Sequence, residues 1–191
     1  NASLVGVTLT LDPTQLVRTV PPGGSIQDAI DGSEPGDLII VSAGTYHENL
    51  IVDRAIQLQG VGAGSTVISG TNLPTSRAVA WRALLQAKLD SGEAGLLPGQ
   101  EDPQAETANG WESGLVAEES PTIMVVPTEG EFAASMVVPR IDGFTVRGGE
   151  IAGGILINGF GESMEISNNL ITNNVGVYGG GIRIGKNHIE G

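Results

Sequence analysis

The sequence feature that most constrains the fold is an internal repeat toward the C-terminal end of the chain. Residues 141–149 align with residues 166–174 at an offset of 25, and residues 153–157 align with residues 180–184 at an offset of 27. A period of this length is typical of stacked supersecondary units. One such unit cannot bury its own apolar side chains, so the repeat predicts a solenoid whose coils share a continuous core.

The matched positions separate into an apolar class and a turn class. In the apolar class, Ile141, Phe144 and Val146 match Ile166, Asn169 and Ile171 of the next coil. Most of these positions are apolar and are expected to point inward. The residues of the turn class are predicted to form the corners of the coils, because Asn tolerates a left-handed backbone conformation and Gly permits sharp bends. These corner residues are Asn168, Asn169, Asn173, Asn174 and the glycines at 148–149, 153–154 and 179–181.

Short apolar runs occur along the rest of the chain, separated by Gly, Asp, Asn and Pro. They predict strands over residues 5–11, 16–20, 38–41, 49–52, 55–59, 66–68 and, from 122 onward, 122–126. The gaps between them are too short for crossover helices, which excludes a doubly wound sheet. The expected fold class is therefore mainly β, with the strands forming coils of a solenoid.

Two segments interrupt this pattern. Residues 25–30 predict a short helix that closes the N-terminal end of the solenoid, with Ser25 as its cap and Asp28 as the capping-box partner. Residues 72–138 are interpreted as an insertion that begins with a helix through residues 81–89, capped by Thr75 or Ser76 and ending near Gly92. Its apolar stripe, Trp81, Leu84, Leu85 and Leu89, is expected to pack against the solenoid rather than to hold a ligand.

The pattern resembles a known family, the right-handed parallel β-helix proteins, which include pectate lyases and pectin methylesterases. Residues 25–30, 36–41 and 44–49 are similar to the start of a pectin methylesterase-like helix. Residues 166–174 and 179–182 are similar to general β-helix repeats. The resemblance implies a right-handed parallel β-helix domain over residues 1–191 that is part of a longer helix. It implies little about activity, because many functions share this scaffold.

No catalytic or cofactor-binding residue is assigned from the sequence, and metal ligands are left open. An esterase of the family would need two aspartates, an arginine and glutamine oxyanion donors, whereas Asp142 is followed in the next coil by Ser167. Asp142 is therefore expected to be a turn or surface residue. A lyase would need an acidic Ca²⁺ cluster and a base, and the basic residues near the repeat have no acidic cluster beside them. These basic residues are Arg140, Arg147, Arg183 and Lys186.

Both histidines have been weighed as catalytic groups. His47 precedes Glu48, but adjacent residues of a strand point to opposite faces and cannot pair simply. His188 would need partners that this sequence does not provide.

Two glycine-rich segments bear a superficial likeness to nucleotide-binding loops. Residues 60–64 have the wrong spacing and lead into a strand rather than a helix, and residues 180–187 end in Asn187 where a P-loop needs a hydroxyl. Both are interpreted as turns of the solenoid.

The composition of the chain limits the partners that it is expected to bind. The net charge of −13 opposes binding to a phosphate backbone, so no nucleic-acid partner is expected. The acidity is interpreted as a contribution to solubility, with attraction of Ca²⁺ or of basic partners as the alternative. No stretch approaches the length of a membrane helix. The absence of cysteine is compatible with a secreted or cell-surface repeat protein that is held together by stacking.

The sequence therefore predicts an extracellular structural or adhesive module that contacts glycans or other copies of itself. The alternative is the N-terminal part of a polysaccharide lyase or carbohydrate esterase whose catalytic coils lie elsewhere. Asn1 is expected to follow a removed signal peptide or a trimmed start. Beyond residues 181–184 the solenoid is expected to continue with further coils or to be covered by another subunit.

Overall fold

The computed structural model describes residues 15–97, 120–159, 163–176 and 179–185. Within them lie three helices, α1 (Ile26–Asp31), α2 (Thr75–Ser91) and α3 (Glu131–Ala134). The strands are β1 (Val17–Val20), β2 (Leu38–Val41), β3 (Gly44–Tyr46), β4 (Leu50–Val52), β5 (Gln57–Gly60), β6 (Thr66–Ser69), β7 (Ile123–Val125), β8 (Arg140–Asp142), β9 (Thr145–Arg147), β10 (Ile155–Ile157), β11 (Glu165–Ser167), β12 (Leu170–Ile171) and β13 (Ile182–Ile184). The predicted strand over residues 5–11 lies outside the described residues.

The strands form three parallel sheets. The first sheet has the order β1-β2-β5-β8-β11, the second β12-β9-β6-β3 and the third β13-β10-β7-β4. From β2 onward the chain visits the three sheets in the same rotation, coil after coil. The predicted mainly β class is confirmed, and the topology is consistent with a parallel β-solenoid.

Strand register reproduces the alignment of the repeat. Ile141 pairs with Ile166 in the first sheet, and Val146 pairs with Ile171 in the second. In the third sheet β10 pairs with β13 over residues 155–157 and 182–184. The two offsets of the repeat are therefore the lengths of chain that separate stacked strands.

The core follows the alternation of side chains along each strand. Inward-facing residues of all three sheets stack into one apolar cluster. Its members include Ile39, Val41, Leu50, Val52, Leu58, Ile68, Ile123, Val125, Ile141, Phe144, Val146, Ile155 and Ile157.

The asparagine residues at the corners have two different roles. Asn168 and Asn173 adopt positive φ values of 53° and 54°, as the corner prediction requires. Asn169 and Asn174 bond the coil before them through their amides. The Oδ1 atom of Asn169 accepts from the Phe144 amide at 2.8 Å, and its Nδ2 atom donates to the Ile141 carbonyl at 2.8 Å. Asn169 is thus a corner residue, as predicted, and it is the polar residue among the matched positions.

The glycine-rich segment at residues 60–64 forms the turn between β5 and β6 and not a nucleotide-binding loop followed by a helix. Gly60 ends β5, and β6 begins at Thr66. A Cβ atom on Gly60 would lie 2.5 Å from the carbonyl oxygen of Gly143 in the next coil. The two turns therefore stack backbone against backbone, which only a residue without a side chain permits.

Helix α2 begins at Thr75, one or two residues earlier than a cap at Thr75 or Ser76 would place it. Pro74, with extended backbone, takes the N-cap position and offers no side-chain acceptor, so neither Thr75 nor Ser76 caps the helix. The helix ends at Gly92 in a left-handed conformation, as expected. Strand β7, which lies within the predicted insertion of residues 72–138, is paired on both sides by β4 and β10. Residues 123–125 are thus part of the sheet.

Candidate functional site

Helix α2 covers the outer face of the third sheet. The middle residues of three successive strands, Ile51, Met124 and Leu156, are in register and point away from the main core. Trp81 and Leu85 of α2 are buried against this stripe. The prediction that the Trp and Leu stripe packs against the solenoid is confirmed, because the outer face of this sheet is itself apolar.

A buried cluster of charges joins the C-terminal half of α2 to the solenoid. The Nζ atom of Lys88 lies 2.7 Å from the Asp53 carboxylate, 2.8 Å from Asp31 and 3.3 Å from Glu93. Arg54 donates to both oxygens of Asp53 at 3.0 and 3.1 Å. Two cations and three carboxylates thus form a network of ion pairs at the C-terminal end of α2.

The electrostatics of this cluster favour its charged form. Burial raises the pKa of Asp53, but hydrogen bonds from Arg54 and Lys88 and their positive charges lower the pKa more, and it lies below the ordinary value. Burial lowers the pKa of Lys88, but contact with Asp31 and Asp53 raises it above its ordinary value overall. The cluster borders a concavity of about 390 Å³. Since its charges are engaged with one another, its evident role is to fix α2 in place.

Sequence reasoning did not find this cluster, although one signal was present. Lys88 follows Trp81 and Leu85 at helical spacing, so it lies on the apolar face of α2. A lysine on a buried face needs a carboxylate partner, because an unpaired buried charge is strongly unfavourable. That partner is Asp53, which lies 35 residues before Lys88 in the sequence.

A second cluster secures the N-terminus of α1. The Glu48 carboxylate accepts hydrogen bonds from the Ile26 and Gln27 amides at 3.0 and 2.9 Å, while Ser25 accepts from the Asp28 amide at 3.0 Å. The predicted Ser25 cap is confirmed. The carboxylate that binds the first amides of α1 is that of Glu48 rather than that of the predicted capping-box partner, Asp28.

Gln27 closes the free edge of the third sheet. Its Oε1 atom accepts from the Ile51 amide at 2.8 Å, and its Nε2 atom donates to the Ile51 carbonyl at 3.1 Å. The side-chain amide thereby imitates the peptide group of a neighbouring strand. Ile26 and Ile30 are fully buried beneath it, so α1 covers the first coil as predicted.

A groove of about 210 Å³ lies between the β3–β4 connection and the N-terminal half of α2. His47, Glu48 and Asn49 line one side, and Arg77 and Trp81 line the other. His47 is exposed, and Glu48 is engaged with α1, so these two residues do not form the acid–base pair that was considered. Arg77 brings a positive charge to this groove, and none of the described residues forms an ion pair with it.

The remaining residues considered from the sequence are dispersed. Asp142 ends β8, is only 8% exposed, and accepts from Ser167 at 2.9 Å and from Asn168 at 2.6 Å, which orders the next corner. The expectation of a turn residue fits this role, whereas Asp142 is not a surface residue. Arg140 donates to Gln59, and Arg183 stands opposite Leu156 in the third sheet. Lys186, Asn187 and His188 lie outside the described residues.

Within the described ranges, no group of three or more His, Cys, Asp or Glu side chains is placed to hold a metal ion. None of the described helices has the length and apolar character required to cross a membrane. No family model, curated protein or solved structure matches the chain.

Proposed function

We propose that this chain is a structural and adhesive module built on a right-handed parallel β-helix of a secreted or cell-surface protein. In this role the solenoid supplies a stiff support, and the chain contacts glycans through the surface around α2 or contacts other copies of itself. The observation that carries the proposal is the double attachment of α2, through the apolar layer around Trp81 and through the buried Lys88–Asp53 ion pair. An added element held this firmly presents a fixed surface, which favours recognition by limiting the ordering cost of binding.

The distinguishing experiment compares binding with bond cleavage on the same panel of polysaccharides. The purified chain is incubated with neutral and acidic polysaccharides, and retention is measured by co-sedimentation while chain length is followed by size-exclusion chromatography. Retention without shortening supports an adhesive module. Depolymerisation or release of ester groups would instead support the alternative, part of a polysaccharide lyase or carbohydrate esterase.

Contact between copies belongs to the same proposal. In the last described coil the outermost strands carry apolar side chains that are accessible to solvent, with Ile184 75%, Leu170 54% and Ile182 44% exposed. Edges of this kind accept further strands. The opposite edge of the third sheet is hydrogen-bonded by Gln27, so the exposed apolar side chains of β12 and β13 are the proposed place of contact between copies.

Self-association is tested by light scattering across a range of protein concentrations. The wild-type chain is expected to increase in mass with concentration, and Ile182→Lys is expected to remain monomeric, because a charged edge strand blocks pairing. Arg147→Lys, on an exposed position of β9, serves as the control. A wild-type chain that stays monomeric at millimolar concentration contradicts contact between copies.

A further inference from the structure

The groove beside α2 contains a cation whose charge the described residues leave unused. Arg77 is half-buried on the groove wall, and no described side chain or carbonyl accepts a hydrogen bond from its guanidinium. By contrast, Arg18 and Arg54 each bind a buried aspartate at 2.9 and 3.0 Å. In a chain with nine basic and 22 acidic residues, a guanidinium kept apart from carboxylates at a concave surface favours an external anion.

The acidic residue that lines the same groove does not neutralise Arg77. Glu48 accepts from the Ile26 and Gln27 amides at 3.0 and 2.9 Å and from the Ser25 hydroxyl at 3.3 Å. Its negative charge is thus directed to the N-terminus of α1, where the helix dipole stabilises it. His47, exposed on the same side, adds a ring nitrogen at the rim.

The wall next to Arg77 is apolar and firmly placed. Ala80, Trp81 and Leu84 follow Arg77 at intervals of three, four and seven residues, so all four lie on one face of α2. Trp81 is buried against the sheet and cannot move without disrupting the layer beneath it. A charged anchor beside a fixed apolar wall selects a ligand that combines a negative group with an apolar body.

We propose that this groove is a binding site for a small organic carboxylate with an apolar body. The carboxylate accepts parallel hydrogen bonds from the Arg77 guanidinium, whose planar fork matches its two oxygens. The body lies against Trp81 and Leu84. The volume of about 210 Å³ limits the site to a small molecule or to one end group of a larger ligand. This site is independent of whether the module is adhesive.

The test titrates the purified chain with phenylacetate and with its neutral analogue phenylacetamide. Binding is followed by ligand-observed NMR and by tryptophan fluorescence in a Trp111→Phe background, so that Trp81 alone reports. Phenylacetate is expected to bind with a Kd in the millimolar range, as its size implies, and phenylacetamide at least about tenfold more weakly. Arg77→Gln is expected to reduce phenylacetate affinity about tenfold or more and to leave phenylacetamide unaffected.

Arg147→Gln provides the matched control, because Arg147 is an exposed arginine that does not line the groove. It should leave both affinities unchanged. Equal affinity for the acid and the amide, no binding of either, or unchanged binding in Arg77→Gln would overturn the proposal. The comparison of phenylacetate with phenylacetamide on the wild-type chain tests the proposal even if the Arg77 variant folds poorly.

Discussion

The ammonium group of Lys88 lies 2.7 Å from the carboxylate of Asp53, and both side chains are buried between α2 and the turn after β4. This ion pair connects the added helix to the sheet, beside the apolar layer that includes Trp81 and Leu85. Its geometry leads to predictions about stability, and the polar contacts at α1 and the stacked turns lead to others.

Replacement of Lys88 by Met should destabilise the fold by about 3 kcal/mol, because it leaves a buried carboxylate with one of its two cations removed. The free energy of unfolding is measured with urea. Arg147→Gln, on the exposed side of β9, should change this free energy by less than about 0.5 kcal/mol. A Lys88→Met variant as stable as wild type would show that the pair contributes nothing to the attachment of α2.

The stability contributed by Asp53 should depend on pH in a defined direction. Its pKa in the folded state lies below the ordinary value, because cations outweigh the effect of burial. The contribution is therefore complete above the unfolded pKa of about 3.9 and is lost as the pH falls through the folded pKa. Asp53→Asn should be less stable than wild type at pH 7, and urea unfolding should show this difference shrinking below about pH 4. A difference that stays constant from neutral to acidic pH would contradict the assignment.

Gln27→Ala should destabilise the chain by about 1–3 kcal/mol, since it leaves the Ile51 amide and carbonyl unpaired at the sheet edge. Gln27→Glu should cost at least as much, because a carboxylate would face the Ile51 carbonyl and lie close to Glu48. Gln57→Ala is the control, as its side chain makes one long hydrogen bond of 3.4 Å. Thermal unfolding of the variants measures the effect, and equal midpoints for Gln27→Ala and Gln57→Ala would refute it.

Ile26→Asp should cost several kcal/mol, because Ile26 is fully buried in the apolar core and a charge placed there is strongly unfavourable. Circular dichroism during heating would show a lower midpoint. An unchanged midpoint would mean that α1 does not close this end of the core.

Gly60→Ala should destabilise the chain by about 1–3 kcal/mol, because the new methyl group would lie 2.5 Å from the Gly143 carbonyl and force two coils apart. Gly64→Ala lies in the same turn, where a Cβ atom meets open space, and should be nearly neutral. The free energies of unfolding of the two variants are measured with urea, and their difference gives the contribution of the stacking contact. Similar free energies for the two variants would argue against close stacking of the turns.

The sequence by itself determined the class of fold and the register of the last coils. The repeat places Ile141 over Ile166 and Val146 over Ile171, and the structure pairs the same residues. The sequence predicts this register because apolar alternation and corner residues are local requirements that every coil must meet for itself. The stripe of α2 followed from helical periodicity for the same reason.

The tertiary structure alone decided which polar groups meet. Lys88 finds Asp53 across 35 residues, and Gln27 finds Ile51 across 24. The sequence predicted only that Glu48 does not pair with His47, and the structure shows that Glu48 binds the amides of α1. A polar side chain can satisfy its hydrogen bonds with many partners, and the pattern of one strand or helix does not select among them. The choice is made when stacking places one coil against another, since only then do burial and distance determine which pair forms.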